Sequence, residues 1–122
     1  MNATIIHKTN VKDAVLDNLA MALPGILSDA LELPGGKMAI LKPKQVALEF
    51  TLASPRDIGS DIKIMVFARS LIQRTSNEND LAKEILYNIA LMTSKSGEEY
   101  SVDVRLYLME IGAAEHTVST AR

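Results

Sequence analysis

The sequence predicts an α+β fold in which two β-α-β units form a four-stranded mixed sheet with two helices on one face. Three observations lead to this prediction. Two stretches carry apolar residues at the spacing of a buried helical stripe, and several short stretches alternate apolar and polar residues with a period of two. Their order is strand, helix, strand, and then again strand, helix, strand. A helix that crosses over between strands implies a parallel pair and a right-handed connection, which places both helices on the same side of the sheet.

The first unit opens with a strand-like run at residues 4–7, almost at the start of the chain. A long amphipathic helix follows, with Asn10 as the expected N-cap. Pro24 and the glycine after it predict either a kink or two helices in succession. The apolar stripe consists of Val11, Val15, Leu19, Ala22, Leu23, Ile26, Leu27, Ala30 and Leu31.

Two strand candidates complete the first unit. The shorter one, residues 38–41, is cut off by Pro43, which cannot donate to a sheet ladder. In the longer one, residues 46–52, large apolar side chains alternate with Ala47, Glu49 and Thr51, and the strand is expected at an edge of the sheet.

The second unit has clearer signals. Residues 62–68 and 102–108 alternate with a period of two and predict strands. Between them, residues 75–78 have the form of a capping box, and the apolar residues after it fall on one helical face. Glycine, proline and polar residues separate the two units and predict a loop.

The composition is that of one globular domain spanning residues 1–122. Apolar residues make up 48% and charged residues 23%, the net charge is −2, and no basic patch supports a nucleic-acid partner. The absence of cysteine excludes thiol catalysis and cysteine metal sites. No stretch has the length expected of a transmembrane helix, and the N-terminus lacks a signal-peptide pattern. We therefore expect no membrane contact and a cytoplasmic location.

The two histidines, His7 and His116, lie at opposite ends of the chain and lack the spacing of metal ligands. We expect no metal site and no cofactor. His7 alternates with Ile6 on the first strand and has no nearby carboxylate in sequence to orient it. This favours a surface or satisfied interface histidine over a catalytic base.

One face of the predicted sheet mixes charged, apolar and aromatic residues. Its members on two strands are Lys63, Met65, Phe67, Asp103, Arg105 and Tyr107. A monomer could expose this face, but an oligomer that closes several sheets around it would pair the charges and bury the apolar side chains. We expect a homo-oligomer.

Residues 41–46 (LKPKQV) and residues 110–115 (EIGAAE), together with the order of the elements, resemble the tautomerase superfamily, which includes macrophage migration inhibitory factor and carboxymethyl-hydroxymuconate isomerase. The first segment is similar to the proline turn after the second strand of larger members. The second is similar to the small-residue segment after their last main strand. The resemblance covers nearly the whole chain. It implies a homotrimer whose sheets form a barrel, a site at each subunit boundary, and isomerase activity on small keto or enol acids.

In that superfamily the reagent is an N-terminal proline, exposed when the initiator methionine is removed. This sequence has no proline before Pro24, and the family's proline falls on Asn2 or Ala3. Methionine is normally retained before a bulky residue such as asparagine, so we expect Met1 to remain. Its α-amino group is a conceivable base. No residue is assigned as catalytic, and the alternative is a catalytically silent trimer of the same fold that binds a small molecule or has a structural role.

The resemblance implies four substrate-binding residues: Asn2, Arg69, Arg105 and Tyr107. Arginine can bind a small carboxylate ligand through two hydrogen bonds, and a tyrosine hydroxyl can donate to a developing enolate. Each has a structural alternative. Arg69 could mark the return of a strand to solvent, Arg105 could pair with Asp103, and Tyr107 could be an interface aromatic.

A ferredoxin-like regulatory module also has the order strand, helix, strand taken twice. In that fold the strands of the two units interleave, whereas in the tautomerase arrangement each unit keeps its own pair. Periodicity does not distinguish these two strand orders, so both stay open at the level of sequence.

Overall fold

The computed structural model describes residues 1–32, 45–94, 97 and 99–118. It confirms the predicted fold class, with a four-stranded mixed sheet in the spatial order β2-β1-β3-β4. β1 and β2 are parallel, β3 and β4 are parallel, and β1 joins β3 in antiparallel sense. The strands are β1 (Asn2–His7), β2 (Ala47–Leu52), β3 (Ile62–Arg69) and β4 (Val102–Met109).

Each β-α-β unit keeps its own strand pair, which excludes the interleaved order of the ferredoxin-like alternative. Ile5 of β1, for example, lies opposite Phe50 of β2 on one side and Ile64 of β3 on the other. Among the described strands β2 has the predicted edge position, and β4 forms the opposite edge. The strand predicted at residues 38–41 and most of the proline turn at residues 41–46 lie outside the described residues.

The first helix, α1 (Asp13–Leu31), is continuous and contains Pro24, so the alternative of two successive helices is excluded. Proline has no N–H to donate to the preceding turn. The Ser28 hydroxyl donates to the Gly25 carbonyl at 3.1 Å. The buried residues of α1 follow the predicted stripe and are Val15, Leu19, Leu23, Leu27, Ser28, Ala30 and Leu31.

α1 begins later than its expected cap. Lys12 is the N-cap and makes no capping hydrogen bond with its side chain. Asn10 does not cap the helix, because its Nδ2 donates to Asp61 Oδ1 at 3.2 Å. Asp61 also accepts hydrogen bonds from Ser101 N at 3.0 Å and Ser101 Oγ at 3.1 Å. One carboxylate therefore joins the entry to α1 with the starts of β3 and β4.

A one-turn helix, α2 (Ile72–Thr75), precedes the second long helix, α3 (Glu78–Ser94). The capping box predicted at residues 75–78 is not formed as expected, because Thr75 ends α2 and its hydroxyl donates to the Leu71 carbonyl at 3.3 Å. α3 nevertheless spans the predicted segment and packs against both α1 and β4. Its buried residues are Ile85, Ile89 and Thr93.

The core lies between the helices and one face of the sheet. β3 supplies the centre of that face, where Ile62, Ile64, Val66 and Ala68 are at most 1% exposed. Burial of a side chain of the size of Val66 contributes about 1.5–3 kcal/mol. The same alternation directs the intervening β3 residues to the opposite side of the sheet, which none of the described helices covers.

By length and composition alone, α1 is long and apolar enough to cross a membrane, so the expectation that no stretch would reach that length was wrong. Its apolar stripe packs in the core with the sheet, where Leu19, Leu23 and Leu27 are fully buried. The core helix of a soluble protein passes the same test, because burial against a sheet and burial in lipid both select apolar residues.

Candidate functional site

The open face is the side of the sheet opposite the helices. On β1, β3 and β4 every second side chain points away from the core, and these side chains together form the open face. The register places Lys63 opposite Asp103, Met65 opposite Arg105, Phe67 opposite Tyr107 and Arg69 opposite Met109. Most of these side chains are half-buried by their neighbours, and Arg69, Arg105 and Met109 are exposed.

Phe67 and Tyr107 form an aromatic pair at one end of the open face. Their ring centroids lie 5.0 Å apart with an interplanar angle of 14°, a stacked arrangement. Asn2 of β1 lies opposite Phe67 on the other side. The antiparallel pairing of β1 and β3 therefore brings two of the predicted site residues, Asn2 and Tyr107, into one row with Phe67 between them.

Arg69 is the next open-face position of β3 beyond Phe67. Because β1 runs antiparallel to β3 and Asn2 lies opposite Phe67, Arg69 projects just past the start of β1. The half-buried Met1 is held at this end, since its carbonyl accepts a hydrogen bond from Ala47 N at 3.1 Å. The chain's first residues and an exposed guanidinium thus share one end of the sheet.

Arg105 is two residues before Tyr107 on β4 and therefore lies farther from this end of the sheet. Residues two apart on a strand are separated by roughly 7 Å, so its Cα is about that far from the Cα of Tyr107. Its Nε donates to Asp103 Oδ1 at 3.2 Å, and its side chain is 64% exposed. The pairing with Asp103 considered from the sequence is therefore present, and it engages one of the five N–H donors of the guanidinium.

A shallow groove of about 690 Å³ runs along the outer edge of β4. Arg105 and Tyr107 line it on the strand side, and Glu78 and Asn79 line it on the helix side. Asn2 and Arg69 are not part of its lining. The structure thus brings Asn2, Arg69 and Tyr107 to one end of the open face, and Arg105 with Tyr107 to the adjacent groove.

His7 lies at the opposite end of β1, paired with Leu52 and Ile62. It is half-buried, and its Nδ1 is buried with no hydrogen-bond partner among the described residues. Among the described residues His7 is therefore partly exposed and unsatisfied at Nδ1, and the expectation of an interface role stays a prediction. The described residues contain no group of three or more histidines and carboxylates that could hold a metal ion.

One residue of this region was missed by the sequence analysis. Arg74 in α2 is only 6% exposed and donates to the carbonyl of Arg69 at 3.1 Å. It also donates to the carbonyl of Leu31 through Nε and Nη2, at 3.2 and 3.0 Å. Burial lowers the pKa of the Arg74 guanidinium from its usual value. Nothing in the periodicity signals it, because a one-turn helix is too short to show a buried face.

No protein-family model and no curated protein sequence matches this chain. Solved structures do match. A malonate semialdehyde decarboxylase is 13% identical, with a TM-score of 0.60, over 100% of this chain and 93% of its own. A fused 4-OT that forms an asymmetric trimer is 12% identical, with a TM-score of 0.65, over 96% and 95%. A macrophage migration inhibitory factor-like protein from Entamoeba histolytica is 13% identical, with a TM-score of 0.56, over 88% and 87%.

These solved structures belong to the tautomerase superfamily. At 12–13% identity the likeness is one of fold and not of site residues. It nevertheless extends over most of each chain and agrees with the strand order, in which each β-α-β unit keeps its own parallel pair. The chain therefore has the tautomerase fold.

Proposed function

We propose that this chain is a tautomerase-like isomerase of small keto or enol acids that acts in the cytoplasm. The observation that carries the proposal is the convergence of Asn2, Arg69 and Tyr107 at one end of the open face. The guanidinium of Arg69 and the phenol of Tyr107 are groups that such a reaction needs, and Met1 lies beside Asn2 at the same end of the sheet. Catalytic groups commonly lie at the ends of strands, where a rigid sheet positions them and solvent gives access.

The chemistry follows from these groups. In the ketonisation of an enol acid, the enol hydroxyl loses its proton and the neighbouring carbon gains one. Arg69 would bind the carboxylate through two N–H donors, and the Tyr107 hydroxyl would donate to the developing enolate oxygen. Either the α-amino group of Met1 or the hydroxyl of Tyr107 would transfer the proton from the enol oxygen to the neighbouring carbon. A well-placed group of this kind contributes about 10²–10⁴ in rate.

We also propose that the protein is a homo-oligomer, and specifically a trimer. Among the described residues both edge strands, β2 and β4, have a side without a paired strand, and no described helix or strand covers the half-buried Met65 and Phe67 of the open face. Pairing with other copies would cover both features. The trimeric fused 4-OT supports this assembly by analogy of fold. Native mass spectrometry tests it, and a protein that stays monomeric at micromolar concentration would contradict it.

The activity is tested with enolised phenylpyruvate. We expect faster ketonisation than in buffer and a loss of about tenfold or more in kcat/KM for Arg69→Ala, because the carboxylate anchor is removed. Arg56→Ala is the matched control, since Arg56 is an exposed arginine in the loop after β2, which ends at the other end of the sheet. A rate equal to that in buffer for the wild-type protein would remove the proposal.

The alternative is a catalytically silent trimer that binds a small carboxylate or has a structural role. It is favoured by the absence of proline from residues 1–23 and by the burial of Ala3, one of the two positions on which the family's proline falls. A thermal shift with phenylpyruvate separates the two functions. Stabilisation that depends on Arg69 without turnover supports the silent binder, and stabilisation with turnover supports the isomerase.

A further inference from the structure

We propose that Arg74 is a positioning residue, which joins the last turn of α1 to the backbone of Arg69 and so fixes where the Arg69 side chain stands at the candidate site. This inference rests on the proposed function for its meaning in catalysis. Its structural part concerns the end of β3 alone and is tested separately below.

The first support is the unusual use of a buried cation. Arg74 is 6% exposed, and no carboxylate among the described residues forms an ion pair with it. Within the part of the chain that the structure describes, its side chain donates three hydrogen bonds, all to the backbone carbonyls of Leu31 and Arg69. A buried charge is retained only where it is well satisfied, so these contacts are the reason the guanidinium can stay in this place.

The second support is the electrostatics of α1. The last turn of this 19-residue helix contains no basic residue of its own, and its terminal carbonyls carry the negative end of the helix dipole. Arg74 reaches this end from another element and donates twice to the Leu31 carbonyl. The contact therefore fixes α2 against the first β-α-β unit, although α2 belongs to the second.

The third support is the geometry around Arg69. Its carbonyl is held by Arg74, and the next amide, Ser70 N, donates to the Met109 carbonyl at 3.0 Å. Both polar groups of the peptide between Arg69 and Ser70, the C=O and the N–H, are thus hydrogen-bonded. Because the side chain of Arg69 projects from this point to the open face, a shift of the peptide would move the guanidinium that the proposed function uses. Displacements of about 1 Å in a site can cost on the order of a hundredfold in rate.

These contacts also show what Arg74 does not do. Its hydrogen bonds go to backbone carbonyls in the interior of the protein, whereas the side chain of Arg69 projects to the open face. It is therefore not placed to bind the substrate carboxylate itself. Any effect of Arg74 on the reaction would pass through Arg69.

Amide hydrogen exchange tests the structural part. In Arg74→Lys, the single nitrogen of the ammonium lacks the spaced donors of the guanidinium, which uses three different nitrogens to reach the carbonyls of Leu31 and Arg69. We expect the amide of Ser70 to exchange about tenfold faster or more, as the loss of a charge-assisted hydrogen bond implies. The amide of Ile64 in the middle of β3 should be unchanged, and Arg56→Lys should leave both amides as in the wild type. Unchanged exchange at Ser70 overturns the proposal whether or not the protein has activity.

A double-mutant comparison tests the catalytic part. Arg74→Lys should raise KM for phenylpyruvate by roughly tenfold. Added to Arg69→Ala it should have no further effect, since it acts through the side chain that is already removed. Independent, multiplicative losses would overturn the proposal, and so would failure of Arg74→Lys to fold, which would show a general structural role. If the wild-type protein has no ketonisation activity, the proposed function fails, and the exchange experiment alone decides the role of Arg74.

Discussion

Neutralising Asp61 should weaken the fold at neutral pH and have little effect in acid. Its carboxylate accepts hydrogen bonds from Asn10 and Ser101. The backbone amide of Ser101 is the largest cause that lowers the pKa of Asp61 from its usual 3.8, while partial burial acts in the opposite direction. Because the pKa is lower in the folded than in the unfolded chain, the contribution to stability is fully present above the usual pKa. It is lost as the pH falls through the lower, folded value.

The magnitude follows from the exposure of the group. Hydrogen bonds to charged groups contribute about 1.5–3 kcal/mol where they are shielded from water. Asp61 is only partly shielded, so solvent screening reduces the expected cost of Asp61→Asn to about 1 kcal/mol. The amide of the variant keeps one oxygen for Ser101 N but carries no charge. With a urea dependence of about 1–3 kcal/mol per molar, the unfolding midpoint should fall by roughly 0.3–1 M.

Urea unfolding at neutral pH and at a pH well below the usual carboxyl value checks this prediction. The wild type and Asp61→Asn should differ at neutral pH and converge in acid, where the wild-type carboxylate is protonated as well. Asp17→Asn is the matched control, because Asp17 is exposed on α1 and its carboxylate accepts no hydrogen bond from the described residues. A difference that persists unchanged in acid, or an equal loss in the control, would refute the role of the carboxylate.

Three further predictions concern the core and the open face. Ile64→Ala should lower the free energy of unfolding by about 2–5 kcal/mol, because Ile64 is fully buried; Ile58→Ala, at a fully exposed position, should change it by less than about 0.5 kcal/mol in the same urea titration. Tyr107→Phe should leave the melting temperature nearly unchanged, since the stack on Phe67 is kept, but should slow phenylpyruvate ketonisation by about tenfold or more; an unchanged rate would exclude the hydroxyl. Asp103→Asn should cost less than about 1 kcal/mol, because its ion pair with Arg105 is largely exposed, and a larger loss in urea unfolding would show that the pair is shielded.

The elements of the fold were predictable from the sequence because each has a periodic signal. In residues 62–68 aliphatic residues at every second position alternate with Lys63, Met65 and Phe67, and the structure buries the aliphatic ones against the helices. The strand order was not predictable, since the same alternation fits both of the arrangements considered. Local signals also failed where a tertiary contact competed for the residue. Asn10 has the chemistry of a helix cap, but its side chain bonds to Asp61, which is distant in sequence.

The candidate site was predictable only in part. Arg69 and Tyr107 were proposed from a resemblance, yet their proximity to Asn2 depends on the pairing of β1 with β3, which no local pattern specifies. Thr75 illustrates the same difficulty at shorter range. Its position suits a capping box, but its hydroxyl donates to the Leu71 carbonyl in a helical turn that the sequence did not predict. The burial of the neighbouring arginine depends on that same turn.

Arg69 and Arg74 have the same side-chain chemistry, and the difference in their roles comes from backbone geometry alone. Strand alternation places Ala68 in the core and directs Arg69 outward, where its donors are available to a ligand. The turn of α2 instead directs Arg74 inward, where its donors are held by two carbonyls. A positive charge that is both exposed and unengaged can bind a carboxylate from solution, whereas one that is buried and engaged can only hold the backbone. The end of β3 thus combines a candidate ligand-binding arginine with the arginine that fixes its position.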